Sequence, residues 1–203
     1  MNKASVVRFL FTSFIITLLV CLPGPIQSKA RTPVAEAQVL QISQETQIKI
    51  DGLLNESVWQ NASHIGPLTM VEPDEGVSPS MKTEVRVVTD SRSIYFGIMC
   101  FDSDPDKIVS YTMQRDARLR GEDHVKIVLD TFLNGRTGYI FAINPNGARY
   151  DGLIEREGEG ENSQWDGIWE AAAQRLEDGW SAEIFIPIKT LRFSTGLTRW
   201  GFN

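Results

Sequence analysis

The stretch DHVKIVLDTFLNGRTGYIFAINPNGARYDGLI, residues 123–154, decides the fold. From His124 to Phe132 it alternates, with Val125, Ile127 and Leu129 on one face and Lys126, Val128 and Asp130 on the other. A period of two marks a half-buried strand. Asn134-Gly135 follows, the dipeptide suited to the positive φ angles of a type I′ hairpin turn. The chain returns from Gly138 to Asn144 with Tyr139, Phe141 and Ile143 on one face. Pro145-Asn146-Gly147 turns it again, and Ala148 to Ile154 reads as a third strand. Three strands joined by two tight turns form an antiparallel meander, and the rest of the chain must cover its apolar face.

Upstream, residues 31–36 are polar and loose, and 38–44 alternate weakly, as an edge strand does. Ile48-Lys49-Ile50 reads as a short strand that leaves through Asp51-Gly52. Asn55 is placed to cap a short helix carrying Glu56, Val58 and Trp59. Residues 66–79 are rich in Pro, Gly and acids and form a long loop. Strands are expected over 84–90 and 94–101, the second apolar on both faces. Asp104 before Pro105 has the pattern of a helix cap followed by Pro at the first helical position. Residues 111–122, with Arg115, Asp116, Arg118 and Arg120, read as an exposed loop.

Downstream of the meander, 155–162 is acidic and Gly-rich. Strands follow at 168–176 and 180–186, joined at Asp178-Gly179, the second with Ala182, Ile184 and Ile186 inward. A helical turn over 187–193 precedes the start of a last strand, with Trp200 and Phe202 inward. About nine or ten short strands with turn signals between them indicate an all-β antiparallel sandwich, jelly-roll-like, with one or two short helices.

With 203 residues, 42% of them hydrophobic and 23% charged, the chain has enough apolar surface for one sizeable core. Its net charge of −6 includes the cations Lys3, Arg8 and Lys29, which have no acid among residues 1–30, so the remainder stands at −9. That balance argues against nucleic acid as a partner. Lys3 and Arg8 precede an apolar run from Phe9 to Leu22, and Ser28-Lys29-Ala30 ends the segment with small residues. This is the pattern of a cleaved export signal over 1–30, too short to span a bilayer. The protein is therefore expected to be exported, to the periplasm, the outer membrane or the medium. A loose segment over 31–45 and one domain over 46–203, cut short in its last strand, complete the organisation. Without the signal, Cys100 is the sole cysteine, so stability rests on the core, with the thiol buried and inert.

Several motifs carry a resemblance to a known family. They include IDGLLNESVW (50–59), TEVRV (83–87), IYFG (94–97) and DSDPDK (102–107). Arg115-Asp116, Asp123, DTF (130–132), FAINP (141–145), Trp165-Asp166, GWSAEI (179–184) and IPIKTLRF (186–193) extend the set. In this order they resemble carbohydrate-binding module family 9, in the variant that opens long bacterial proteins with a C-terminal barrel-like region. The resemblance implies a noncatalytic β-sandwich that binds oligo- or polysaccharide between aromatic side chains. It also implies calcium as an occasional structural ion, and an attached or partner glycoside hydrolase or outer-membrane barrel. Asn55 stands where the family commonly has Asp.

A sugar site needs flat apolar faces for the C–H side of a pyranose and fixed polar groups for its hydroxyls. Trp165 and Trp169 are the platform candidates, because Gln164-Trp-Asp-Gly167 follows an acidic loop with Gly158 and Gly160 that lets Trp165 lie flat. Trp59, Trp180 and Trp200 sit on core faces. Asp166, Arg115 and Asp123 near the loop entering the meander, and Asn144 at its far turn, are the polar candidates. Turn chemistry and surface ion pairs are their alternative roles. Asp102, Asp104 and Asp106 offer hard oxygens to calcium, though helix capping explains them more simply. No cofactor is otherwise required. Two rival readings stand beside the binding module. One is a glycoside hydrolase using a pair among Glu155, Glu157 and Asp166; the other is a partner-binding periplasmic domain of a barrel protein.

Overall fold

The computed structural model describes residues 36–66, 68–155 and 160–203. The expected export signal, residues 31–35 of the loose segment, Glu157 and Gly158 lie outside the described residues. Ten strands are described: β1 (Leu40–Gln41), β2 (Thr83–Thr89), β3 (Ser93–Phe101), β4 (Val125–Asp130), β5 (Gly138–Ile143), β6 (Arg149–Glu155), β7 (Gly160–Asn162), β8 (Glu170–Leu176), β9 (Gly179–Pro187) and β10 (Gly201–Phe202). They form two five-stranded sheets, ordered β1-β2-β3-β9-β8 and β10-β4-β5-β6-β7. Every pairing is antiparallel except the two-residue edge contact of β1 with β2. This is the all-β sandwich expected from the strand periodicity. Among the described residues no helix is long and apolar enough to cross a membrane.

The core lies between the sheets and follows the period of two. Ile127 and Leu129 of β4, Tyr139, Phe141 and Ile143 of β5, and Trp180, Ala182, Ile184 and Ile186 of β9 all belong to one buried cluster. Trp200 packs against that cluster, and Phe202 stacks on Phe96 with ring centroids 5.7 Å apart. Phe202 nevertheless stays partly exposed.

The outer face of the first sheet is covered in part too. Helix α1 (Ser57–Asn61) buries Val58 and Trp59 there, with Val88 beneath and Ile48, Leu54 and Tyr95 alongside. The approach is close, and it requires glycine at position 97. A Cβ on Gly97 would lie 2.8 Å from Cε3 of Trp59 and 2.9 Å from Cδ2 of Leu54. A five-residue helix and an irregular lead-in cannot satisfy their own buried N–H groups. Glu183, fully buried in β9, does it for them. Its Oε2 accepts from the N–H groups of Asp51 and Gly52 at 2.9 Å, and its Oε1 accepts from Trp59 Nε1 at 3.0 Å.

Several local expectations are corrected. Ile48-Lys49-Ile50 is not a strand; Asp51 N–H donates to the Lys49 carbonyl, and Ile48 packs under the helix cover instead of in a sheet. Asn55 does not cap α1: the cap position is Glu56, whose carboxylate reaches back to the Lys49 N–H. Asn134-Gly135 does not form a two-residue turn. The strand-end carboxylate of Asp130 accepts from the N–H groups of Phe132 and Gly135, and Asn134 accepts from those of Arg136 and Thr137. These bonds hold a longer loop over 131–137. The helical turn Pro105–Lys107 is present after Asp104, but Asp104 makes no side-chain cap bond. Residues 111–122 are not simply exposed, since Leu119 and Glu122 are buried.

Two outcomes follow from this packing. Burial pushes the Glu183 carboxyl from 4.5 up to about 7, against the three N–H donors that favour its charged form. A raised folded-state value means the native chain binds more protons across that interval, so stability falls as pH rises from about 4.5 to about 7. The loss should be on the order of 1–3 kcal/mol. Urea midpoints at pH 5 and pH 8 should differ in that direction. Glu183→Gln should be destabilised throughout, because an amide nitrogen then faces N–H donors, and its pH slope should be flatter; an unchanged slope would refute the assignment. Cys100, whose thiol burial pushes up to about 12, should react with thiol reagents only after denaturation. Fast labelling of the native protein would contradict its burial.

Candidate functional site

The second sheet differs from the first because, among the described residues, no helix covers its outer face. There Ile140 and Ala142 of β5 and Tyr150 of β6 form a small buried cluster with Ala148 and Leu119. Leu119 arrives on the loop 109–123, which crosses that face. The loop therefore acts as the wall of an open groove of about 440 Å³. The groove is floored by Leu119, Ala142 and Tyr150 and rimmed by Arg118, Arg120, His124, Lys126, Glu161 and Ser163. Lys126 lies 3.7 Å from Glu161, and the Tyr150 hydroxyl donates to the same carboxylate. Burial first, then that bond and the negative charge of Glu161, push the Tyr150 hydroxyl well above its ordinary value, so it stays a donor.

Most of the candidate residues read from the sequence turn out to hold this loop. At its start, the extended segment 109–113 alternates, with Val109, Tyr111 and Met113 exposed and Ser110 and Thr112 half-buried. Glu122 accepts from the N–H groups of Tyr111 and Thr112, from the Thr112 hydroxyl and from the Asn144 amide. Burial alone would raise the Glu122 carboxyl, but these donors outweigh it and hold it low. Asn144 is fully buried and fully used: its amide also donates to the Thr112 carbonyl, and its oxygen accepts from the N–H groups of Asn146 and Ala148. Asp123, exposed, accepts from Val109 N–H at 2.7 Å.

At the middle of the loop sits Arg115. Its Nη2 donates to Asp151 at 2.8 Å and to Asp166 at 2.5 Å, and its Nε lies 3.3 Å from Asp116. Asp151, unremarked in the sequence, is the centre of this cluster. It is buried on the inner face of β6 and also accepts from Gly167 N–H at 2.6 Å and Trp169 Nε1 at 3.0 Å. Burial pushes its carboxyl up despite those donors.

The two tryptophans of that cluster pack inward. Trp169 is 3% exposed and meets Phe141 edge-on at 5.1 Å, with Arg149 over its ring. Trp165 does not lie flat at the surface. It is half-buried, tilted against Tyr139 at 5.2 Å and edge-on to Phe141 at 5.9 Å. Gly167 makes room for it, since a Cβ there would stand 2.6 Å from Trp165 Cη2. The structure thus brings Arg115, Asp166, Trp165 and Trp169 together around Asp151, and puts Asp123 and Asn144 where the two ends of the loop meet.

The acids considered for calcium do not converge. Asp102 accepts from the Asp104 N–H, Asp104 pairs with Lys107 at 2.6 Å, and Asp106 is exposed. Among the described residues no three His, Cys, Asp or Glu side chains are grouped to hold a metal ion. Sequence reasoning missed the groove residues Lys126, Tyr150, Glu161 and Ser163. The available signal was Leu119 alone among Arg118 and Arg120, one apolar residue to be buried in a charged run.

No family model and no curated protein matches the sequence. Solved structures do. A family 9 carbohydrate-binding module from Caldicellulosiruptor kristjanssonii in complex with cellotriose superposes with a TM-score of 0.53 at 15% identity, covering 81% of this chain and 74% of that one. The same kind of module from that organism in complex with glucose gives 0.53 at 16% identity, over 81% and 75%. With two five-stranded sheets in this order and these neighbours, the chain has the fold of carbohydrate-binding module family 9.

Proposed function

We propose that this domain is a noncatalytic carbohydrate-binding module and that it holds saccharide in the groove over the outer face of β4–β7. The observation carrying the reading is the groove itself, found in a fold whose solved examples include modules in complex with cellotriose and glucose. Its floor is apolar enough for the C–H face of a sugar ring, and its rim supplies donors from Lys126, Arg118 and Arg120 and a hydroxyl from Ser163. The loop that walls it is fixed at both ends, so little ordering entropy opposes binding. No cofactor is called on. In this reading the protein is exported, works beside a glycoside hydrolase or an outer-membrane barrel region of the same polypeptide, and serves polysaccharide breakdown. The composition of residues 1–30 supports the first of these statements and the motif pattern the rest.

Calorimetric titration with an oligosaccharide panel tests the site. Ser163→Trp, at an exposed rim position, should fill the groove and weaken binding at least about tenfold (about 1.4 kcal/mol) with an unchanged melting temperature. Trp165→Ala should behave in the opposite way. It removes a ring packed on Tyr139 and Phe141, costing about 2–4 kcal/mol of stability, and leaves affinity within a few-fold. Loss of binding in folded Trp165→Ala, with Ser163→Trp still binding, would move the ligand to the Arg115–Asp166 end.

A further inference from the structure

We infer that this groove selects saccharides carrying an anionic substituent, a carboxylate or a sulfate ester, over neutral ones. The inference rests on the groove being a saccharide site and adds the class of sugar it takes.

The charges around the groove are unbalanced. Among the described residues, Arg118, Arg120 and Lys126 line it against one carboxylate, Glu161. That carboxylate is already engaged, accepting from the Tyr150 hydroxyl and lying 3.7 Å from Lys126. Asp116, the next acid along the loop, is turned to Arg115 at 3.3 Å. The side chains of Arg118 and Arg120 have no ion-pair or hydrogen-bond partner among the described residues, although both stand on either side of the buried Leu119. They are not trailing into solvent from a mobile segment. The loop beneath them is pinned by Leu119 packing on Ile140 and Tyr150, by Asp116 N–H on the Arg149 carbonyl, and by the Glu122 bonds.

Unpaired cations over an apolar floor are unusual in a chain of net charge −6, because the surrounding acids could have neutralised them. A guanidinium presents a planar fork that matches carboxylate and sulfate oxygens, and two such forks on either side of one residue offer a two-point grip. At the solvent-exposed rim each contact is modest and screened by salt, so two or three together give a preference of about tenfold or more. A nucleic acid fits less well. Its many phosphates would meet the protein's net negative field beyond the groove, whereas a short acidic saccharide places its charge only where the cations are.

The test titrates the domain with four probes: oligogalacturonate (carboxylate only), sulfated galactan oligosaccharides (sulfate only), cello-oligosaccharide of equal length, and single-stranded DNA. At about 20 mM salt one of the anionic saccharides should bind at least about tenfold more tightly than the neutral one, the margin shrinking towards about 300 mM. Which of the two prevails identifies the anion. The double variant Arg118→Gln/Arg120→Gln should lose that margin while keeping its melting temperature. Arg92→Gln, the same kind of charge change at the exposed β2–β3 turn, should retain it. A neutral oligosaccharide binding as tightly as both acidic ones would overturn the anionic preference and leave the saccharide site standing. No saccharide binding at all would overturn both. DNA binding as tight as the glycan's would show a general polyanion surface and overturn the inference as well.

Discussion

Glu183 is the constraint on which the sandwich depends. A carboxylate at the centre of a sheet, fully buried, is costly to desolvate, and an unpaired one would be expelled or neutralised. Here it is the acceptor for three N–H groups: two from the Asp51-Gly52 turn and one from the Trp59 indole. The Ser181 hydroxyl adds a bond to the Gly52 carbonyl. These bonds clamp a segment with almost no regular structure onto the outer face of β3 and β9. The indole then seats on Gly97, and the hydrophobic cover closes over Val88. Without the carboxylate the segment would carry buried, unpaired N–H groups, each costing about 1–3 kcal/mol.

The second sheet solves the same problem with Asp151. That acid also gathers an indole N–H, from Trp169, and a backbone N–H, from Gly167, but its third partner is the Arg115 guanidinium. The difference in the third donor has a functional consequence. Glu183 fixes a cover over part of its sheet's outer face, beside an open cavity of about 530 Å³ lined by Leu54, Asn55, Arg86, Met99 and Ser181. Asp151, working from the inner face of its sheet, fixes one point of a loop that only half-crosses the outer face. What the loop leaves open is the groove. Structural bonds on the inside of β6 thus help set the shape of the groove on its outside, through the single residue step from Asp151 to Tyr150.

The strands were legible because most of them have one face on the core, and alternation reports that directly. Ile127, Tyr139, Phe141 and Ile184 point where the period of two puts them. The reading failed where side chains bond to backbone over short or long distances. Asp130 redirects the Asn134-Gly135 loop, and Glu183 draws residues 50–52 out of strand geometry; neither effect has a local pattern. For the site, sequence picked out Arg115, Asp123, Asn144 and Asp166 as polar residues with a role, and they form a connected framework around one loop. It could not separate the residues that hold the loop from those that border the groove. Lys126, Tyr150 and Glu161 look like the solvated face of a sheet, and only the closure by Leu119 turns that face into a concave one. Trp165 was misplaced because a glycine-rich flank reads as freedom, whereas Gly167 serves to admit the ring to the core.

A groove whose walls are fixed by buried carboxylates has little capacity to adapt. Its wall is tied at Tyr111, Thr112 and Asp116, and its floor packs in one buried cluster with Ile140 and Ala148. Under the proposed role, selectivity would rest more on what the rim side chains present than on movement of the walls. Arginine and lysine suit such a rim. Their stems lie on apolar surface and their heads remain in water, so a long side chain can meet a charge some distance above the floor. A rigid concave floor for the ring and extended cations for its substituents divide recognition between shape and charge. In such an arrangement shape would discriminate only modestly between rings, while charge would act only on a ligand that carries an acid group. Charge contacts at that rim would be screened by salt, whereas Glu122 and Asp151, which hold the loop together with Asn144, are buried and Arg118, Arg120 and Lys126 are exposed.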